Sequence, residues 1–129
     1  MALRELGGVY MFNGMFEEAV AALERATKIS SGDRTHARLA RVYGEVNQKE
    51  KAQKILDELL EQSKKRHVSP ALIAEIYTGL GNNDKAFEWL EKAYTQRDSI
   101  LAAIKASPKW DRLRPDVRFK ELLKKMNLD

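Results

Sequence analysis

The chain has no cysteine, only three prolines and only two histidines, His36 and His67. Without cysteine there is no disulfide framework, thiol nucleophile, iron–sulfur cluster or structural zinc–thiolate site. Two histidines leave little for a metal centre, so neither metal nor other cofactor is expected. No apolar run approaches the roughly 18 residues of a membrane span. The opening Met1-Ala2-Leu3-Arg4-Glu5 also lacks the apolar block of a signal peptide. These absences point to a cytoplasmic, non-membrane protein without enzymatic chemistry. What is present is 129 residues, 43% hydrophobic and 33% charged, with seven glycines and a formal charge of +4. Such a composition suits one helical domain or a short run of repeats, not a Gly-rich β-sandwich or a disordered chain.

Apolar residues recur at steps of three and four almost throughout, the mark of one buried helix face. Examples are Leu3, Leu6, Tyr10; Phe16, Ala19, Val20, Leu23, Ala26; Leu39, Val42, Tyr43, Val46; and Ala86, Phe87, Leu90, Ala93. Gly14, Asn47 and Gly81 each follow such a run, where a residue that tolerates the left-handed conformation ends a helix. Ser69-Pro70 reads as an N-cap followed by proline in the first helical position, and Asn83 as the cap of the next helix. The spacing predicts helices over 2–13, 16–29, 34–46, 49–65, 70–80, 83–96, 99–106 and 116–126.

Superposing these helices exposes a period. Tyr10, Tyr43 and Tyr77 lie 33 and 34 residues apart, as do Ala19, Ala52 and Ala86; Leu23, Leu56 and Leu90; and Gly14, Asn47 and Gly81. Self-similarity of this length marks an array of stacked helix pairs. The units read Leu3-x2-Leu6-Gly7-x2-Tyr10 with Ala19-x3-Leu23, His36-x2-Leu39-Ala40-x2-Tyr43 with Ala52-x3-Leu56, and Pro70-x2-Ile73-Ala74-x2-Tyr77 with Ala86-x3-Leu90. In this the chain resembles the tetratricopeptide repeat (TPR) family, whose 34-residue unit carries the pattern W-x2-L-G-x2-Y…A-x3-F…P. The tryptophan place holds Leu3, His36 and Pro70, and the closing-proline place holds Ser31, Lys64 and Asp98. The resemblance implies an all-α, right-handed α-solenoid of three repeats, about 1–33, 34–67 and 68–97, closed by a modified capping pair over 98–129.

The capping segment loses the register, since the period would place Asp111 where tyrosine belongs. Terminal repeats of solenoids are atypical because they close the stack. Trp110 and Phe119 are expected to pin this segment. The stretch 108–119 looks like the tail that closes TPR arrays in bacterial multidomain proteins. The first helix begins without a cap residue ahead of it, so the sequence reads as a fragment or as a chain covered there by another.

The resemblance implies a protein-binding module whose first helices line a concave groove that takes a peptide or protein segment. At about 100° per residue, Arg34, Arg38, Arg41 and Glu45 fall within an arc of about 60° opposite the apolar face. One period earlier the stripe is Met1, Glu5, Gly8 and Phe12, with Met11 beside it; one period later it is Val68, Leu72, Glu75 and Gly79, with Thr78 beside it. The expected groove set is Arg34, Arg38, Arg41, Glu45, Gly8, Met11, Phe12, Glu75 and Thr78. Three arginines on one stripe favour a carboxylate or phosphate on the partner; the same residues also read as a solvated face with an Arg41–Glu45 ion pair. Chaperone-binding TPR domains clamp a peptide carboxylate with Lys, Asn, Asn, Lys and Arg. The corresponding places here hold Arg4, Gly8, Arg38, Val68 and Leu72, so that peptide class is not expected.

Met11, Phe12 and Met15 form a second candidate, an apolar patch for self-association of the chain into a homo-oligomer. Nucleic-acid binding is a weaker third reading, prompted by the basic balance and by Lys64-Lys65-Arg66-His67, which sits where cations complement a helix dipole. Gly79-Leu80-Gly81 lacks the preceding strand of a nucleotide-binding turn. His36 occupies a packing position, and the pairs Glu17–Glu18 and Glu58–Glu61 have no cleft to shift their pKa values.

Overall fold

The computed structural model describes residues 2–30 and 32–128, and no strand occurs among them. Met1, at the start of the first stripe, and Ser31, at the first closing-proline place, lie outside the described residues. Helices α1 (Leu3–Phe12), α2 (Phe16–Ile29), α3 (Asp33–Glu45), α4 (Lys49–Ser63), α5 (Pro70–Leu80) and α6 (Asn83–Thr95) form three helix–turn–helix pairs. Two short 3-10 segments, Ser99–Ala103 and Pro108–Leu113, then lead to α7 (Val117–Lys125). The architecture is the all-α solenoid that the repeat predicts. Its cause is visible in the repeated positions: Ala19, Leu23, Ala52, Leu56, Ala86 and Leu90 are all wholly buried.

The turns repeat in detail as well. Gly14, Asn47 and Gly81 sit at φ 77°, 64° and 79°. The amide of the following residue donates in each case to the carbonyl of Tyr10, Tyr43 or Tyr77, at 2.8, 2.8 and 3.0 Å. This bond satisfies a carbonyl that the helix end would otherwise leave free. Two caps differ from expectation. It is Asn82, not Asn83, that caps α6, accepting from the amide of Lys85 at 3.1 Å. Ser69 precedes α5 but caps no amide of its own; its hydroxyl donates to Asp98, whose carboxylate accepts from the Ala71 amide at 3.1 Å. Asp98 also accepts from Ile100, so one carboxylate ties the start of α5 to the start of the closing segment.

The closing segment departs from the expected pair. The helix read over 99–106 is a single 3-10 stretch, and the connection after it contains a second one. Pro108 and Pro115 leave too few residues between them for α-helical propagation, and short 3-10 pieces are the usual outcome. Trp110 and Phe119 do pin it: with Leu101, Ile104, Leu113 and Leu122 they form a core with Ala71, Ala74, Phe87 and Leu90.

Consecutive first helices pack on one another, α1 on α3 and α3 on α5, more closely than consecutive second helices do. The first-helix layer is therefore the inner, concave side of the stack. Between α3 and α5 the approach is backbone on backbone. A Cβ on Gly44 would stand 2.5 Å from the Gly79 carbonyl oxygen, and one on Gly79 would stand 2.9 Å from the Arg41 carbonyl oxygen. Neither neighbour is a flexible side chain that could step aside. Gly44→Ala should therefore destabilise the chain by about 1–3 kcal/mol in urea titrations followed by circular dichroism. Gly32→Ala, with only the Ser30 hydroxyl at 3.7 Å, should stay within about 0.5 kcal/mol of wild type.

Candidate functional site

The concave face carries the expected stripe, but most of the stripe is already engaged. Arg38 donates through Nε to Glu75 Oε2 at 2.9 Å. Its guanidinium lies over Gly8, where a Cβ would meet Nη1 at 2.4 Å, and stands 5.7 Å from the centre of the Phe12 ring. Glycine at position 8 thus makes room for the arginine of the next repeat. Arg41 is buried: Nε donates to Glu45 Oε1 at 2.9 Å and Nη1 to the carbonyl of Lys109 at 2.7 Å. The Pro108–Leu113 segment lies against α5 and supplies the remaining charges. Lys109 Nζ stands 3.8 Å from Glu75 Oε1, while Arg112 pairs with Glu45 and donates to the Thr78 carbonyl at 2.9 Å.

The structure thus corrects part of the expected groove. Arg41, Glu75 and Thr78 are buried, and Glu45 is held between two arginines. Thr78 turns its hydroxyl back onto the Ala74 carbonyl at 2.8 Å. Gly8 is covered by Arg38. Met11, expected both in the groove and on the apolar patch, is only 5% exposed and belongs to the core that runs from α1 to α5. A helical wheel gives a residue's direction on its own helix but cannot register what other helices pack over it. Phe12 and Met15 remain exposed, as does Arg34.

What stays open is a concavity of about 530 Å³ where the first turns of α1, α3 and α5 meet the corner after α6. Arg4, Arg34 and Arg97 line it. Arg97 is a residue the sequence reading did not single out. Its signal was its place beside Asp98, in a position where the chain must turn. Elsewhere, Arg66 of the basic tetrad grips Asp33 with both terminal nitrogens, at 2.7 and 2.9 Å, so this cation joins the end of α4 to the start of α3. His36 bonds the Gly32 carbonyl at 3.0 Å. Among the described residues no group of three histidines or carboxylates could hold a metal ion, and no helix is long and apolar enough to cross a membrane.

The electrostatics follow from this crowding. Burial pushes the Glu75 carboxyl up, but the fields of Arg38, Lys109 and Arg41 prevail and hold it below its ordinary 4.5. Burial also pushes the Lys109 ammonium down; Glu75 opposes this, while Arg38, Arg34 and Arg41 add to it, and the net shift is downward. Because Glu75 has a lowered pKa in the fold, its ionised form stabilises the protein fully above about pH 4.5, and that stabilisation is lost as the pH falls through the folded-state value. Glu75→Gln should cost roughly 3 kcal/mol near pH 7, because it leaves buried cations without their counter-ion. Urea midpoints of the two proteins should converge as the pH drops from about 4.5 toward about 2.5; a gap constant over that range would show that the carboxylate's charge is not what matters.

Residues 5–33, 33–66 and 71–100 match the family model for the tetratricopeptide repeat. No curated protein and no solved structure matches the chain. Three consecutive matched units, three stacked helix pairs and an inner layer of first helices agree: the chain belongs to the tetratricopeptide repeat family and carries that family's kind of protein–protein interaction module.

Proposed function

We propose that the chain holds an acidic peptide or protein segment on the open part of its concave face, between α1, α3 and the corner after α6. One observation carries this reading. After all internal pairing, the face retains an excess of positive charge: Arg34, Arg38, Arg41, Lys109 and Arg112 surround only two carboxylates, Glu45 and Glu75. Crowded cations of this kind repel one another and gain from an added anion, whereas a cationic or apolar segment would leave them uncompensated. Phe12, 40% exposed beside Arg38, supplies an apolar contact at the same end of the face.

A second reading has its own observation. Val9 is 42% exposed, yet its counterparts one and two periods later, Val42 and Ile76, are wholly buried. With Phe12 and Met15, also exposed, it offers an apolar face of the first pair for self-association. Sedimentation velocity separates the readings. A concentration-dependent dimer abolished by Val9→Glu supports the second.

The acidic-segment reading is tested by fluorescence anisotropy with labelled hexaglutamate and hexaglutamine. Hexaglutamate should bind and weaken with added salt, and hexaglutamine should not bind. Arg34→Glu, which leaves the paired Arg38 and Arg41 in place, should weaken binding by about tenfold. Equal affinity for both peptides would refute the reading.

A further inference from the structure

We infer that the concavity lined by Arg4, Arg34 and Arg97 is an oxyanion subsite, one that takes a single carboxylate or phosphate group of the bound segment. The inference rests on the acidic-segment reading above and gives it a location.

Two observations converge here. The first is charge without a counter-ion. Among the described residues neither Arg34 nor Arg97 has a side-chain hydrogen bond or ion pair, and Arg4 has only an exposed contact with its neighbour Glu5. The carboxylates on the same wall are spent. Asp33 receives two bonds from Arg66, and Asp98 receives the Ser69 hydroxyl and the amides of Ala71 and Ile100. Asp98 also occupies the amide end of α5, so the arginines, not the helix terminus, carry the positive potential. Three arginines line this recess of about 530 Å³, and a guanidinium offers paired N–H donors that match a planar carboxylate or a phosphate.

The second observation is backbone strain at Arg97. Among the described residues the left-handed positions include Gly14 at φ 77°, Asn47 at 64°, Gly81 at 79° and Asn127 at 59°, residues suited to that conformation. The remaining one is Arg97, at φ 56°. A long side chain here gains nothing for the turn, which glycine would make with less strain. What arginine adds is a cation at the rim of the recess. Strain retained where a charged side chain faces an open concavity fits a binding role better than a structural one.

That contrast supplies the test. Arg97→Gly should leave the melting temperature unchanged or raised, because it relieves the turn, and at the same time lose anion binding. Arg34→Gln is the second variant, and Lys54→Gln, on the exposed side of α4, is the control for loss of charge in general. Three hexapeptides serve as probes on the full chain: one with a central glutamate, one with a central phosphoserine and one with a central glutamine, otherwise identical and acidic. Binding is read by anisotropy, and the Arg Nε–Hε and 96–100 amide signals by NMR. Glutamate or phosphoserine should bind more tightly than glutamine, with shifts at Arg34 and Arg97, and that advantage should fall about tenfold in Arg97→Gly and Arg34→Gln and persist in Lys54→Gln. If the acidic peptides bind but the advantage survives in both arginine variants, the subsite is wrong while the acidic-segment reading stands. If no acidic peptide binds wild type, both fall. If Arg97→Gly melts well below wild type, arginine is there for the turn and the inference is overturned.

Discussion

The buried carboxylate of Glu75 is the point on which the closed form of this solenoid depends. An isolated charge at 1% exposure would cost several kcal/mol of desolvation. Here it is met by Arg38 from the adjacent first helix and by Lys109 from the closing segment. Those two cations belong to parts of the chain that share no helix, so one carboxylate specifies both the stacking of α3 on α5 and the return of the Pro108–Leu113 segment. Glu45 repeats the arrangement a turn away, between Arg41 and Arg112. The apolar core under Trp110 and Leu113 provides the attraction that holds the segment down. The ion pairs provide its register, since an oily surface alone accepts many alignments.

Much of this was legible in the sequence, because it rests on local periodicity. The tyrosine, alanine, leucine and turn positions recur at 33 and 34 residues, and their burial and left-handed turns follow directly. The occupancy of the concave face was not legible in the same way. A wheel places Arg38, Arg41 and Glu45 on one azimuth, but their partners lie 37 residues away for Arg38–Glu75, 68 for Arg41–Lys109 and 67 for Arg112–Glu45. Met11 shows the same limit from the apolar side. A trace did exist: Glu45 ends a basic stripe, Glu75 is the one charge on the next stripe, and Lys109 and Arg112 flank the tryptophan of the tail with the opposite sign. Gly44 and Gly79, on neighbouring first helices, marked where two backbones touch.

The family pattern's departures are informative for the same reason. The third closing-proline place holds Asp98, and this residue bonds the start of α5 and the start of the closing segment at once. A proline there would fix the local backbone, remove the amide that donates to the Ala93 carbonyl and offer no side-chain acceptor. With aspartate the joint is held by hydrogen bonds, and the residue before it, Arg97, is carried into the left-handed turn. The substitution that secures the cap therefore also positions a cation at the rim of the concave face.

Net charge is consequently a poor guide to what this face recognises. The formal +4 counts every cation alike, yet Arg41 and Lys109 hold the cap, Arg66 joins α4 to α3 and Arg118 binds Asp116 and Asp84. These cations are spent on the fold, and their removal would be felt first as instability. Arg34 and Arg97 differ because they line the recess and, among the described residues, have no side-chain hydrogen bond or ion pair. An exposed arginine without an ion pair gains little for the fold, and one that also strains the backbone detracts from it. The charge left at the rim of the recess is therefore the part that the proposed oxyanion subsite would use.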